Sequence, residues 1–313
     1  MNAVRPNLAF AQRYDSYYRT IIEAETLEAG KEYNAAFQKY QKAINALYPF
    51  PDDVLNAIRC CLKSDFKEEA PVLVKKLVRC GFKKEMSEIF ISHMGKKGNV
   101  AESNGRFPFP ELKAYLDSVY TETRTEYLEG IRTRPNTLLS TFNIFEFFTR
   151  TLRLNRGQYA PEMKVDDLQN LCWLTSWKLF KEILKSGTDI RRSFTDTWGD
   201  DDFIACLIHM AQTVIDTVYE KEFFDLMWEM VLEGNLHPAQ FAGIKDGALG
   251  RKTKKSCLGL FFVYDAKLQK LQIKELEDPQ HIDAVRSGYF LPPLWVQAEL
   301  KGQALPRNYK YQK

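Results

Sequence analysis

The stretch that decides the fold is residues 33–51, Tyr33-Asn34-Ala35-Ala36-Phe37-Gln38-Lys39-Tyr40-Gln41-Lys42-Ala43-Ile44-Asn45-Ala46-Leu47-Tyr48-Pro49-Phe50-Pro51. Tyr33, Ala36, Tyr40 and Ala43 recur at three- and four-residue steps, the period of one face of a helix. Pro49 and Pro51 end it, because proline removes an amide donor and clashes with the preceding turn. Upstream, Tyr14, Tyr17, Tyr18, Ile21 and Ile22 follow the same template, and Gly30 lies in a short connection where a helix stop is expected. Downstream, a third helix begins at about Asp52, with Val54, Leu55, Ile58, Cys61 and Leu62 on one face. Asp65 and Glu68 predict a capping box for a fourth helix, marked by Leu73, Val74, Leu77 and Val78 and ending near Gly81. Pro71 fits best in its first turn, so that helix begins later than the cap suggests. A fifth helix is expected over 84–93.

Short helices in pairs with tight connections are the pattern of a stacked array, in which no hairpin buries its own apolar face alone. Tyr33, Ala36, Tyr40 and Ala43, followed by Pro49, resemble the second helix of a tetratricopeptide unit. Small alanines let a neighbouring helix approach while the tyrosines fill the gaps. The same register 33 residues later places Phe66 and Leu73 correctly, but Glu69 and Lys76 where small residues belong. The resemblance covers about residues 10–95 and implies a protein-interaction scaffold, with Tyr17, Tyr18, Tyr33 and Tyr40 lining a groove for a protein or peptide partner. A plain helical bundle is the alternative.

Residues 95–110, GKKGNVAESNGRFPFP, are the clearest break in the chain. The organisation read from this pattern is helical hairpins over 1–95 and a linker over 96–110. A helical domain follows over 111–302, then a basic and aromatic tail over 303–313. Further helices are expected around Tyr115–Tyr120, over 138–154 and 166–185, at Phe203–Ala211, at Phe223–Leu232 with Gly234 as the stop, and from Pro238. Leu258–Tyr264 and Leu268, Leu271 and Ile273 predict one β-hairpin near 257–275. Such a hairpin is marginal alone and must pack on helices or pair with something. The fold class is therefore mainly α, with a tetratricopeptide-like segment followed by an α-helical domain carrying one small β-hairpin.

From about Tyr115 to Gly302 the chain also resembles a bacterial family known as a domain of unknown function. The likeness rests on Leu207–Gln212, the helix before Gly234, Pro238–Asp246 and the hairpin. It rests further on Glu277-Asp278-Pro279, Asp283, Arg286 and Leu291-Pro292-Pro293-Leu294. The chain departs from the family where that family carries polar groups. His209, Met210, Ala211 and Gln212 stand for glutamine, histidine, alanine and aspartate. The hairpin start has Ser256, Leu258, Gly259, Leu260 and Phe261 for glutamine, tyrosine, glycine, threonine and glutamine. The resemblance implies a degenerate copy, and it points toward binding.

Composition narrows the function classes. The 313 residues carry 44 basic and 41 acidic side chains, a net charge of +3. This near balance argues against a protein that coats nucleic acid. Hydrophobic residues make up 45% and charged ones 27%, which is globular composition. About two domains are expected at this length. The cysteines, Cys60, Cys61, Cys80, Cys172, Cys206 and Cys257, include no C-x-x-C pair, so they read as small buried hydrophobes in a reducing compartment. Neither a signal-peptide run nor an 18-residue apolar stretch occurs, and the expected location is the cytoplasm.

The candidate sites are few. Among the histidines His93, His209, His237 and His281 there is no metal-ligand spacing. His237, before Pro238, reads as a helix cap. His209 with Asp246, near the hairpin, forms an alternative enzyme site. Asp200-Asp201-Asp202 read as helix-start residues rather than metal ligands. Arg251, Lys252, Lys254 and Lys255 form the densest basic run and an alternative site for an anion or nucleic acid, although nucleic acid is disfavoured by the charge balance. The tail alternates Arg307, Lys310 and Lys313 with Tyr309 and Tyr311 and reads as a frayed polar terminus. No cofactor and no metal are expected. The leading reading is a non-enzymatic interaction module.

Overall fold

A computed structural model describes residues 8–80, 82, 201–265 and 270–310, with single positions at 117, 120, 121, 123, 125, 174, 177, 178, 180 and 181. The expected linker over 96–110 and the helices over 84–93 and 138–154 lie outside the described residues. The protein is mainly α. The described helices are α1 (Leu8–Ala29), α2 (Tyr33–Ala46), α3 (Pro51–Lys63), α4 (Ala70–Arg79), α5 (Asp201–Val214), α6 (Glu220–Leu232), α7 (Pro238–Thr253), α8 (Ile282–Gly288) and α9 (Leu294–Lys301). One antiparallel pair, β1 (Phe262–Asp265) and β2 (Lys270–Ile273), sits between α7 and α8.

The first two helices run antiparallel across a three-residue connection, with Lys39 Nζ 2.5 Å from Glu23 and Tyr40 Oη 3.0 Å from Glu28. Ala24, Ala36 and Ala43 are buried, as the close-approach reading requires. The left-handed residue that closes α1 is Lys31, at φ 64°, not Gly30. Amides of Lys31 and Glu32 reach back to the carbonyls of Glu28 and Leu27, completing a Schellman turn with a lysine in the glycine position. α3 starts one residue early because Pro51 occupies its first turn.

The expected capping box before α4 does not form. Asp65 is held by Asn34 instead, whose amide nitrogen donates at 2.6 Å while its oxygen accepts from the Asp65 N–H at 3.0 Å. A 3-10 turn at Lys67–Glu69 precedes α4, and Pro71 lies in the first turn. A buried ion pair ties three helices together. Arg59 on α3 forks onto Glu28 on α1, and Tyr40 on α2 donates to the same carboxylate.

The N-terminal helices and the C-terminal part share one core. Tyr18 Oη donates to the Val231 carbonyl at 2.7 Å, and Tyr14 lies against Gly234. A Cβ at Gly234 would fall 2.3 Å from the Tyr14 ring, and its φ of +74° independently favours glycine. α1 also packs on α6 and α9. Trp177 and Phe180 join this core, with Trp177 edge-on to Phe223 at 5.0 Å.

The first strand begins four residues later than its apolar run suggests, because the chain bends over 257–259 after an isolated bridge between Ser256 and Leu276. The hairpin packs as required, with Ile273 buried among Leu276, Ile282 and Leu294. The tail up to 310 is docked rather than frayed. Asn308 brackets Leu276 by accepting from its N–H and donating to its carbonyl, and Tyr309 Oη donates to Asp283 at 2.8 Å. Among the described residues no helix is long and apolar enough to cross a membrane.

Candidate interaction site

The tyrosines expected to line a groove lie in the core. Tyr17, Tyr18 and Tyr40 are buried, and only Tyr33 is half-exposed, with Lys63 Nζ 5.1 Å from its ring centre. The reason is that α6 and α9 of the same chain pack on α1, while Tyr40 on α2 is enclosed by α1 and α3. Each buried phenol has an acceptor, as desolvation demands. Tyr17 donates to Asp53 at 2.6 Å, Tyr18 to Val231 O and Tyr40 to Glu28. Burial first, and the neighbouring carboxylate second, raises all three phenols well above their usual range.

Asp246 is fully buried and holds a turn together. It accepts from the Ser256 hydroxyl and from the N–H groups of Cys257 and Leu260, the latter two at 2.6 Å. None of these three groups is His209, which lies half-exposed on α5. Arg286 and Asp283 have the same character. Arg286, fully buried, donates to the carbonyls of Pro292 and Leu258 and to Gln297. Burial lowers its guanidinium to about 10, against the pull of Asp283. Asp283 accepts from the Leu294 N–H and from Tyr309. These polar residues hold turns, which gives them a structural use independent of any chemistry.

The basic run is exposed, and three of its four cations meet acceptors of their own chain. Arg251 donates to Gln212 at 2.7 Å, Lys252 pairs with Asp216 at 2.6 Å, and Lys254 donates to the Arg251 carbonyl at 2.7 Å. Lys254 itself closes α7 in the left-handed conformation. Lys255 is exposed beside them.

The corner that sequence reasoning missed is aromatic. Phe290 follows α8 with φ 52°, a conformation that bulky side chains rarely adopt. Its N–H reaches the Ser287 carbonyl and that of Leu291 the Arg286 carbonyl, so Phe290 fills the glycine place of a Schellman turn. Its ring stacks on Trp228 at 5.5 Å and 11°, and lies 5.3 Å from Tyr18. Arg19, an exposed residue of α1, lies over the Phe290 ring at 5.7 Å. Trp228 also meets Tyr289 edge-on at 5.5 Å, and Lys245 Nζ donates to Tyr289 Oη at 2.9 Å. Trp228, Tyr289, Phe290 and Lys245 are all half-buried. The available signal was Tyr289-Phe290 directly before Leu291-Pro292-Pro293, an aromatic pair at a forced helix stop.

Beneath this corner lies a polar seam. His237 caps α7, as its place before Pro238 predicts. Its Nδ1 accepts from the Ala239 N–H at 3.1 Å, and Gln240 closes the capping box by accepting from the His237 N–H. Its Nε2 is 3.6 Å from Asp53. The thiols of Cys60, Cys61 and Cys80 are buried, and burial raises all three, Cys61 to about 11 and Cys80 to about 12. Among the described residues no group of three or more His, Cys, Asp or Glu side chains is placed to hold a metal.

Compared with known proteins, the chain matches no family model, no curated protein and no solved structure.

Proposed function

We propose that the protein is a non-enzymatic interaction module that presents the Trp228–Tyr289–Phe290 corner, with Arg19 and Lys245 at its edge, to a protein partner. The observation that carries this reading is Phe290. A bulky residue held in the left-handed conformation stores backbone strain, and residues of this kind cluster at binding and active sites. The ring so placed joins tryptophan, tyrosine and arginine, the side chains that dominate protein interfaces. The tetratricopeptide resemblance of 10–95 agrees with a scaffold role, with the groove reading replaced by this corner. The structural use of Asp246 and of His237 agrees with it too.

The test is affinity purification of the full chain from its native host. A protein that co-elutes with the wild type, and that is lost on Phe290→Gly and on Arg19→Glu but kept on Tyr33→Ala, supports the reading. Retention of the same protein by Phe290→Gly overturns it.

A further inference from the structure

The seam beneath the aromatic corner joins the two ends of the chain through one imidazole. His237 comes from the C-terminal part, and Asp53 and Tyr17 come from α3 and α1. Asp53 is buried, with Oδ2 taking the Tyr17 hydroxyl at 2.6 Å and Oδ1 lying 3.6 Å from His237 Nε2. The other ring nitrogen accepts the Ala239 N–H at the first turn of α7. An acceptor nitrogen cannot also carry a proton. With the cap in place the ring's single proton sits on Nε2, facing Asp53, so what double protonation removes is the cap and what it adds is the charge. Neutral, it caps α7. Doubly protonated, it loses the cap and becomes a cation facing a buried carboxylate.

We propose that His237 is a proton-operated switch at this seam: neutral, it caps α7, and protonated, it releases the cap and binds Asp53 by charge, clamping the start of α7 to α1 and α3. The switch concerns contacts within the chain and stands apart from the partner reading above.

The surroundings bias the ring toward its charged form. Burial works against the imidazolium, but the hydrogen bond and charge of Asp53 outweigh it, with Asp52 of α3 and Glu25 of α1 adding to them, and the pKa is raised above the ordinary 6.5. Glu25 faces the same seam. Burial and the charge of Asp53 raise it to about 7, while His237 and Lys301 of α9 oppose that and Glu28 of α1 adds to it. Arg286 of α8, Tyr18 of α1, Tyr40 of α2 and Cys80 feel the charge of Glu25 or Asp53 as well. Phe50 and Tyr18 place their rings edge-on to the imidazole, at 5.0 and 6.5 Å.

The signs agree. A histidine raised in the folded state contributes stability that is fully present below its unfolded pKa and is lost as pH rises through the folded one. Glu25 is also raised on folding, so its contribution falls as pH rises from its ordinary 4.5 to about 7. The clamp is therefore tightest in mild acid and gives way to the cap near and above neutrality.

The experiment is a pH titration of the full chain, following the His237 ring nitrogens and the exchange protection of the Ala239 amide by NMR, with protection corrected for the intrinsic rate. The expected result is a ring midpoint above 6.5, with Ala239 protection falling about tenfold on the acid side at that same midpoint. Asp53→Asn should lower the midpoint, because it removes the hydrogen bond and the charge that raise it. His237→Asn caps without titrating, so its protection at residue 239 should be flat with pH. Protection that ignores the His237 midpoint, or that changes identically in His237→Asn, overturns the proposal. Should Asp53→Asn not fold, the wild type and His237→Asn decide the matter between them.

Discussion

Phe290 brings together backbone strain and a half-buried aromatic ring. Its left-handed φ of 52° is a conformation glycine adopts freely and alanine does not. Phe290→Gly and Phe290→Ala both delete the ring, and only the second keeps the strain. Phe290→Gly should therefore be the more stable of the two by about 1 kcal/mol, measured by urea denaturation. Equal stabilities would remove the strain from the account. At this scale the sequence was legible where one residue has one use. Cys61 and Cys80 are buried hydrophobes, and the capping half of His237's role follows from its place before Pro238. It was not legible at Asp53, because an acidic residue in a first helical turn has an ordinary explanation in the helix dipole. Only the fold brings Tyr17 and His237 to that carboxylate. Tyr17, Tyr18 and Tyr40 show the reverse problem. Helical spacing says which residues share a face, and it is silent on whether that face meets solvent or the rest of the chain.

Among the elements, the helices were the most legible parts, since α1–α4 carry strong periodicity and Pro49, Pro51 and Pro71 punctuate them. Their ends were less so. Lys31 takes the conformation expected of Gly30, and Asn34 takes the carboxylate expected to cap α4. The first is a closure made with α1's own carbonyls, and the second is a contact between residues 31 positions apart that local propensity does not report. The first strand was misplaced for a related reason. Leu258 and Leu260 look β-like, but Asp246, ten residues upstream of Ser256, gathers 256–260 into a bend. Close helix approach makes its own demand on the alanines. Ala36 is fully buried on α2, so Ala36→Leu forces extra methylenes into a packed contact. A loss of about 1–3 kcal/mol is expected in thermal or urea unfolding. A neutral effect would mean that α2 lies against a looser neighbour than described.

For the whole molecule, the N-terminal hairpins turn a face inward that a repeat scaffold would leave open, and the chain's own α6 and α9 cover it. Tyr18 is the pivot, bonded to Val231 and packed against both Phe290 and His237. Composition and periodicity made the mainly α class readable. They did not foretell this closure, because it depends on contacts more than 200 residues apart, as between Tyr18 and Val231. One shared core has a direct thermodynamic consequence, since segments that bury each other lose their structure together. The most direct measurement is urea unfolding followed by pulsed hydrogen exchange, read separately in peptides from α2–α3 and from α6–α7. A single common midpoint is predicted, and Tyr18→Ala should move both sets of peptides by the same amount. Two separate midpoints, with the N-terminal helices keeping their protection after α6 and α7 have lost theirs, would contradict the account.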